Sequence, residues 1–404
     1  MKKQEIRSFG EVFNGKTPSK EEQRSSGQPI LKIRDIDEVG QFRGRFESFV
    51  DSKFYDRHSK KKLHAGDTII LNAAHNTDYV GGKNAFVPDE LHGVIATGEW
   101  LVVRVKDANS RYVNQYLKSL SGRKSLKNCV KGIHLYPKDV ERISVPLPSL
   151  DDQTRIAHLL GKVEELIAQR KQHLQQLDDL LKSVFLEMFG FCDQTYTKWT
   201  IDALEVYTKI VSGVTKGKKY NSEDLIEVPY MRVANVQDGH FVLDEIKTIF
   251  VTQKEVDQYL LFSGDLLLTE GGDPDKLGRG SVWKNQIENC IHQNHIFRVR
   301  INEHLKINPY YLSALIGSRY GKSYFLKSAK QTTGIASINS TQLKNFPVVI
   351  PPIELQNQFA AIVEKVESLK SRYQQSLIDL EFLYGALSQR AFRGELDLSR
   401  VPLD

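Results

Sequence analysis

The sequence predicts a mixed α/β protein built as a pseudo-two-fold internal repeat, in which two similar globular α/β blocks alternate with two long coiled-coil helices. Two observations carry this. The first is a pair of long helical stretches with an apolar residue every seven positions. In the first copy these are Leu160, Ile167, Leu174, Leu181 and Met188, with Ile156, Val163, Leu177 and Val184 in the interleaving row. In the second they are Phe359, Val366, Tyr373, Leu380 and Leu387. Spacings of three and four place both rows on one helix face, and so narrow a seam must be buried against a partner helix. The second observation is register. Gln153 and Gln356, Ala157 and Ala360, Leu174 and Leu377, Leu177 and Leu380, and Phe189 and Phe392 all share one offset. Chance does not hold one register through a whole heptad series, so this is a repeat.

The first helix opens at Pro148-Ser149-Leu150-Asp151-Asp152-Gln153 and the second at Pro351-Pro352-Ile353-Glu354-Leu355-Gln356. No proline or glycine interrupts the first between Lys162 and Phe189. About 40 residues at 1.5 Å each make a rod of roughly 60 Å, too long for one globular domain. The expected divisions are a globular block at 1–147, a helical region at 148–190, a second block at 191–350, a second helical region at 351–396 and a tail at 397–404.

The two blocks answer each other in order. Phe13-Asn14-Gly15-Lys16-Thr17 matches Val211-Ser212-Gly213-Val214-Thr215, and the segment from Pro29 to Ile36 matches Pro229 to Val236. Gly66-Asp67 matches Gly264-Asp265, Val103-Arg104-Val105 is aligned with Phe297-Arg298-Val299, and Tyr116-Leu117 with Tyr311-Leu312. Within each block, Ile30–Ile36, Tyr230–Val236, Trp100–Val105 and Ile296–Val299 are expected as strands, and Tyr112–Ser121 and Pro309–Ile316 as helices. Long polar loops at 37–62, 74–93 and 269–295 are where recognition is expected.

Composition bounds the function. With 404 residues, 40% hydrophobic and 26% charged, the chain is large enough for two or three domains with real cores. No apolar run approaches the ~20 residues needed to span a bilayer, and no signal peptide is expected. Cys129, Cys192 and Cys290 lie far apart, which fits a reducing compartment and a cytoplasmic location. The net charge of +6 is compatible with nucleic acid without proving it.

Motifs for catalysis fail in context. Gly10 to Thr17 fits a phosphate-loop pattern, but no buried strand precedes it, Pro18 follows at once, and the second block has Val214 for Lys16. Asn308-Pro309-Tyr310-Tyr311 resembles an adenine-methyltransferase signature, yet it reads more simply as a helix cap with proline in the first turn. Pro274-Asp275 and Glu288 lack the lysine that a metal-dependent nuclease places beside its carboxylates. Cys290, His292 and His295 on a strand would not face one way, so no metal is expected.

Binding residues are candidates instead. Block one carries Lys16, Arg43, Arg45, Lys53, Arg57, His58, Lys60, Lys61 and Lys62, interleaved with Phe42, Phe46, Phe54 and Tyr55. Block two carries Lys216, Lys218, Lys219, Tyr220, Lys276, Arg279, Lys330, Gln331 and Thr332. Lysine and arginine neutralise phosphates, and arginine and glutamine also read base edges.

Taken together, the chain resembles the specificity subunits of type I restriction–modification enzymes. The resemblance is carried by Gly15-Lys16-Thr17-Pro18, Gly66-Asp67-Thr68-Ile69-Ile70, Gly264-Asp265-Leu266-Leu267-Leu268, the two helix openings with Gln153 and Gln356, and Gln389 to Leu396. It implies two target-recognition domains, each reading one half of a bipartite site in double-stranded DNA. It implies two helical spacers that pack antiparallel and set the distance between those domains. It implies no cofactor in this chain; S-adenosylmethionine, ATP and Mg are expected on partner subunits, two modification (methyltransferase) subunits and the restriction (ATP-dependent motor and nuclease) subunits. The alternatives are an adenine methyltransferase or nuclease acting alone, or the specificity subunit of a type IIB-like system.

Overall fold

The fold was analysed in a computed structural model, which describes residues 2–73, 79–190, 199–218, 224–272, 277–302, 304, 306–332 and 335–402. The chain divides into two compact units. One comprises Met1–Lys171 with Gln374–Asp404, the other Gln172–Tyr373. Each unit therefore holds one globular block and a segment of each long helix.

Both long helices form, at Leu150–Phe189 and Ile353–Arg393. Within unit one, Tyr384 donates to Glu164 at 2.8 Å and Lys171 pairs with Glu381 at 2.9 Å. Within unit two, Lys370 pairs with Asp178 at 2.5 Å, and the rings of Phe185 and Phe359 lie 5.3 Å apart. In both units residue numbers rise along one helix as they fall along the other, so the helices are antiparallel. Leu160 and Phe359 complete the block cores, and Val366 is also buried. Ile167, Leu174, Leu177, Leu181, Tyr373, Leu380 and Leu387 are half-buried, because a two-helix seam covers a side chain from one direction only.

In unit one an antiparallel sheet runs in the order Gly10–Asn14, Trp100–Val105, Thr68–Leu71, Asn84–Phe86. Unit two repeats it as Thr208–Ser212, Ile296–Ile301, Leu266–Thr269, Gly280–Val282. Beside each lies a second sheet containing one parallel pair, Ile30–Leu31 with Ile95–Ala96 and Tyr230–Met231 with Ile291–His292.

The register corrects one alignment made from sequence. Val103 pairs with Thr68, and it is Val299 that pairs with the equivalent Leu266. The partner of Arg104 is therefore Arg300, not Arg298. A slip of two residues keeps every side chain on its own face, so the alternating pattern could not expose the error. The strands expected over Ile30–Ile36 and Tyr230–Val236 also end early, at Leu31 and Met231. Short 3-10 turns follow, because Asp35 accepts from the Lys32 amide at 2.7 Å and Asn235 from the Arg232 amide at 3.0 Å. The helix expected over Tyr112–Ser121 is two, Ser110–Lys118 and Leu120–Asn128. Ser119 breaks it by capping the second, its Oγ accepting from Gly122 at 3.2 Å.

Each long helix is pinned to its block in one way. Asn109 caps the helix Ser110–Lys118, and its amide donates to Gln153 Oε1 at 2.9 Å. Asn308 caps Pro309–Gly317, and its amide donates to Gln356 Oε1 at 2.8 Å. Each glutamine then donates back to the proline carbonyl that opens its own helix, at 3.0 and 2.8 Å. Both glutamines are buried, and losing either would take the hydrogen bond from a half-buried backbone amide, at a cost of about 1 kcal/mol. At the far ends, Phe392 packs on Tyr112 and Tyr116 in unit one, and Phe189 packs on Tyr311 in unit two. No described helix is long and apolar enough to cross a membrane.

Candidate nucleic-acid interface

The segment Asn14–Thr17 lies at the mouth of block one, and its Gly15 and Lys16 amides are already committed. Gly15 donates to the Trp100 carbonyl at 2.9 Å and Lys16 to the Ala96 carbonyl at 2.8 Å, while Thr17 Oγ1 accepts from Gly98 at 2.9 Å. A phosphate cradle needs those amides pointing outward, so the loop is a turn. In block two Val214 likewise donates to the His292 carbonyl at 2.9 Å. Glycine is required at Gly15 and Gly213 because a Cβ would stand 2.2 Å from the Ala96 carbonyl oxygen and 1.9 Å from that of His292.

Cations gather around this mouth in block one. The Lys61 ammonium donates to the Asn14 carbonyl at 2.5 Å and lies near that of Gly15 at 3.5 Å. Burial first, then the charge of Lys16, lowers its pKa. The pKa of His58 is lowered by burial and then by Lys16 and Arg57, which disfavours the charged imidazolium beside the lysines. Lys62 lies over the Tyr55 ring at 3.7 Å, a cation–π contact. Arg57 pairs with Glu22 at 3.0 Å. Of the candidate residues here, Lys16, Lys53 and Lys60 are exposed point charges. Lys61 is a structural clamp, which a run of three lysines in sequence could not reveal.

Arg43 and Arg45 lie on a different part of the block, at a cleft that Arg34 and Lys83 also line. The sequence reading did not single out those last two. For Arg34 the signal was difference between the copies, since Ala234 stands in its place.

In block two, only Lys216, Lys218 and Arg279 of the candidates have described side chains, and each of these has its own surroundings. Lys216 is exposed, Lys218 pairs with Glu255 at 2.7 Å, and Arg279 donates to Gln237 at 3.2 Å. Lys330, Gln331 and Thr332 form a short strand. Lys219, Tyr220, Lys276, Pro274, Asp275 and Cys192 lie outside the described residues.

Among the described residues, the catalytic candidates Asn308 and His292 have structural roles. Asn308 is a helix cap. His292 is buried, with its ring nitrogens 3.2 and 3.3 Å from the Tyr259 and Val211 carbonyls, and burial with Arg298 pushes its pKa down to about 4. Burial pushes the Cys290 thiol up to about 12, and His295 faces Glu270 at 2.7 Å. Among the described residues no three metal-capable side chains converge.

One pin is common to both blocks. Arg104 holds Asp67 through two contacts of 3.0 and 2.7 Å, and Arg300 holds Asp265 through two of 2.7 Å. Each aspartate also accepts the amide three residues before it. Two blocks with the same sheet order, the same pins and different exposed side chains are two versions of one module. Residues 1–178 and 205–379 both match the family model described as "Type I restriction modification DNA specificity domain".

The chain belongs to the type I restriction–modification specificity family. Among curated relatives, it is 22% identical over 309 residues to the "Type I restriction enzyme EcoKI specificity subunit" of Escherichia coli K12, an alignment that covers 71% of this chain and 66% of that protein. It is 23% identical over 394 residues to the StySPI specificity subunit of Salmonella potsdam, covering 91% and 82%. The chain thus spans just under two thirds of the first relative's length. A crystal structure of a type I restriction–modification S subunit from M. genitalium superposes with a TM-score of 0.55 at 13% identity, over 97% of this chain and 96% of that one. At that identity the likeness speaks for the specificity-subunit fold alone. The fold class read from the repeat, two similar α/β blocks and two long antiparallel helices, is the fold of this family.

Proposed function

We propose that this chain is the DNA-reading subunit of a type I restriction–modification complex, with each block reading one half of a bipartite duplex target. The observation that carries the proposal is the doubled module: shared pins hold two sheets alike while the surfaces they present differ. In this reading the chain does no chemistry. Methyl transfer with S-adenosylmethionine, and ATP-driven movement and cleavage with Mg, belong to partner modification and restriction subunits in the cytoplasm. Methylation of DNA by the purified chain alone would overturn that assignment. The long helices are the proposed docking platform. Phe382, Ile378 and Leu383 of the second helix are 79%, 52% and 44% exposed, which is costly for apolar side chains unless a partner covers them.

The test is an exchange of residues 172–373 for the matching unit of a relative with a different target. The exchange must carry the helix segments, because Phe185, Phe189, Phe359 and Val363 belong to the core of block two. Methylated sites are then mapped in a host that supplies the modification subunit. One half of the target should change. A change in both halves, or in neither, would overturn the modular reading.

A further inference from the structure

The loops after the two 3-10 turns share a backbone and differ in side chains. The Arg43 amide donates to the Asp35 carbonyl at 2.9 Å, and the Val242 amide to the Asn235 carbonyl at 2.9 Å. Asp37 closes onto Gln41 at 2.8 Å, and Gln237 onto His240 at 3.0 Å. Arg43 is therefore the counterpart of Val242, and Asp244 and Glu245 follow in block two where Arg45 follows in block one.

In block one the loop is preorganised. Asp37 Oδ1 accepts from Val39 and Gln41 at 3.0 and 2.8 Å. The rings of Phe42 and Phe46, 4.8 Å apart, pack on the core beneath it. Arg43 and Arg45 are exposed between these anchors. They face a cleft of about 520 Å³ that Arg34, Lys83, Glu38 and Glu47 also line. Glu47 lies 3.3 Å from Arg34 and 3.6 Å from Arg45, whose side chain is 79% exposed. Contacts so open contribute about 0–1 kcal/mol at most, so they do not lock the forks away from a ligand.

The composition of the cleft decides what it suits. Glu38 and Glu47 would repel phosphate. Lys83, which lines the cleft, is largely buried and paired with Glu38 at 3.3 Å, and the exposed candidates Lys16, Lys53 and Lys60 are off the lining. Planar arginine forks beside a carboxylate match the major-groove edge of a G·C pair, where guanine offers O6 and N7 as acceptors and cytosine offers an N4 donor. We propose that this cleft reads a G·C pair in the half-site of block one. Arg43 and Arg45 donate to the guanine and Glu47 accepts from the cytosine amine. The inference rests on the DNA-reading function above.

The test uses the full-length chain, wild type and with Arg43→Lys or Arg45→Lys, selected against a duplex library with both half-sites randomised. Lysine keeps the charge and removes the fork. The wild type should enrich a bipartite sequence with a G·C pair in one half. Each variant should lose roughly tenfold or more of its discrimination at that pair, with the other half unchanged and affinity for non-specific DNA held within about twofold. Variants that keep full discrimination would reduce the cleft to a surface feature and sink the proposal. Loss spread over both half-sites would do the same. If the wild type enriches no sequence, the DNA-reading function fails first and this inference with it. Both side chains are exposed, so unchanged thermal melting is the control for folding.

Discussion

The two blocks solve the same packing problem with different residues, and the differences come in compensating pairs. Gly66 donates to the Val87 carbonyl, and its counterpart Gly264 donates to that of Trp283. Trp100 donates to the Thr97 carbonyl, and Ile296 to that of Gln293. Block one thus pairs a small residue at Val87 with an indole at Trp100. Block two reverses the order, with Trp283 and Ile296, and all four are buried. The core keeps one large and one aliphatic side chain and lets them trade places, as volume-conserving repacking permits. A second exchange changes polarity. Ala96 and Val102 in block one correspond to His292 and Arg298 in block two. There Arg298 donates to the Gln258 and Leu260 carbonyls at 3.1 and 2.9 Å. Common to both are the polar pins, Asp67 with Arg104 and Asp265 with Arg300. Side-chain volume is negotiable in this module, and the charged pin is the part both copies keep.

The strongest way to break that comparison is to remove a pin. Asp67→Ala takes both carboxylate contacts from Arg104 and leaves it the Lys62 carbonyl at 2.7 Å, with the guanidinium still largely buried. Stranding a buried charge costs about 3–5 kcal/mol. Hydrogen exchange should show that loss of protection in the strands Thr68–Leu71 and Trp100–Val105, with Leu266–Thr269 unaffected. Asp265→Ala should mirror it in the other unit. The effect there should be smaller, because the Arg300 side chain is 29% exposed against 14% for Arg104, so water reaches the stranded guanidinium more readily. An unchanged protection pattern in either variant would mean that the pin is incidental.

The polar core of block two should respond to acid where its counterpart in block one does not. His292 has a folded pKa of about 4 against a reference value of 6.5. Between those values the unfolded chain binds a proton that the folded chain refuses, so stability falls as the pH drops. The term is absent above about pH 7. It reaches on the order of 3 kcal/mol near pH 4 and levels off about one pH unit below that. Carboxylates titrate in the same range, so the measurement is a difference. The urea midpoint of unit two is followed in wild type and His292→Gln from pH 7 to 4. The gap between the two should shift steadily in favour of the variant as the pH falls. A gap that stays constant with pH would refute the assignment. Block one carries Ala96 at this place and has no such term.

What the sequence disclosed and what it hid follow one physical divide. Spacing along the chain exposed the long helices, their seam and the doubled blocks, because periodicity is written in sequence order. Gln153 and Gln356 were visible as a repeated pair, but not their partners Asn109 and Asn308, which lie 44 and 48 residues away. The slip between Arg298 and Arg300 was invisible because a two-residue shift leaves alternation intact. Lys61 looked like its neighbours Lys60 and Lys62 until the fold brought the carbonyls of Asn14 and Gly15 to its ammonium. The strand ends at Leu31 and Met231 were hidden for a related reason. Ile33 and Ile36, or Val233 and Val236, continue an apolar pattern while a local side-chain bond turns the backbone. The candidate site was legible as composition only; which cations share a surface is a property of the fold.

The smallest effect separates the blocks at their mouths. Block one presents Lys16 to solvent where block two buries Val214. The equivalent amides make the same bond, so Lys16→Val makes block one locally resemble block two without disturbing the turn. If Lys16 neutralises one phosphate, its loss releases one fewer group of counterions on binding. The slope of log K against log salt should fall by about 0.9, which near physiological salt is about a fivefold loss of affinity. The enriched sequence should not change, since phosphate contacts carry no base information. A second readout is independent of DNA. Lys16 is the strongest of the charges that hold down the His58 pKa, and it lowers that of Lys61 as well. The His58 titration followed by NMR should therefore move up in the variant. A shifted His58 with an unchanged salt slope would place Lys16 in the cluster yet off the DNA path. The cationic mouth of block one would then be a feature of folding electrostatics, and the two blocks would differ in their reading surfaces alone.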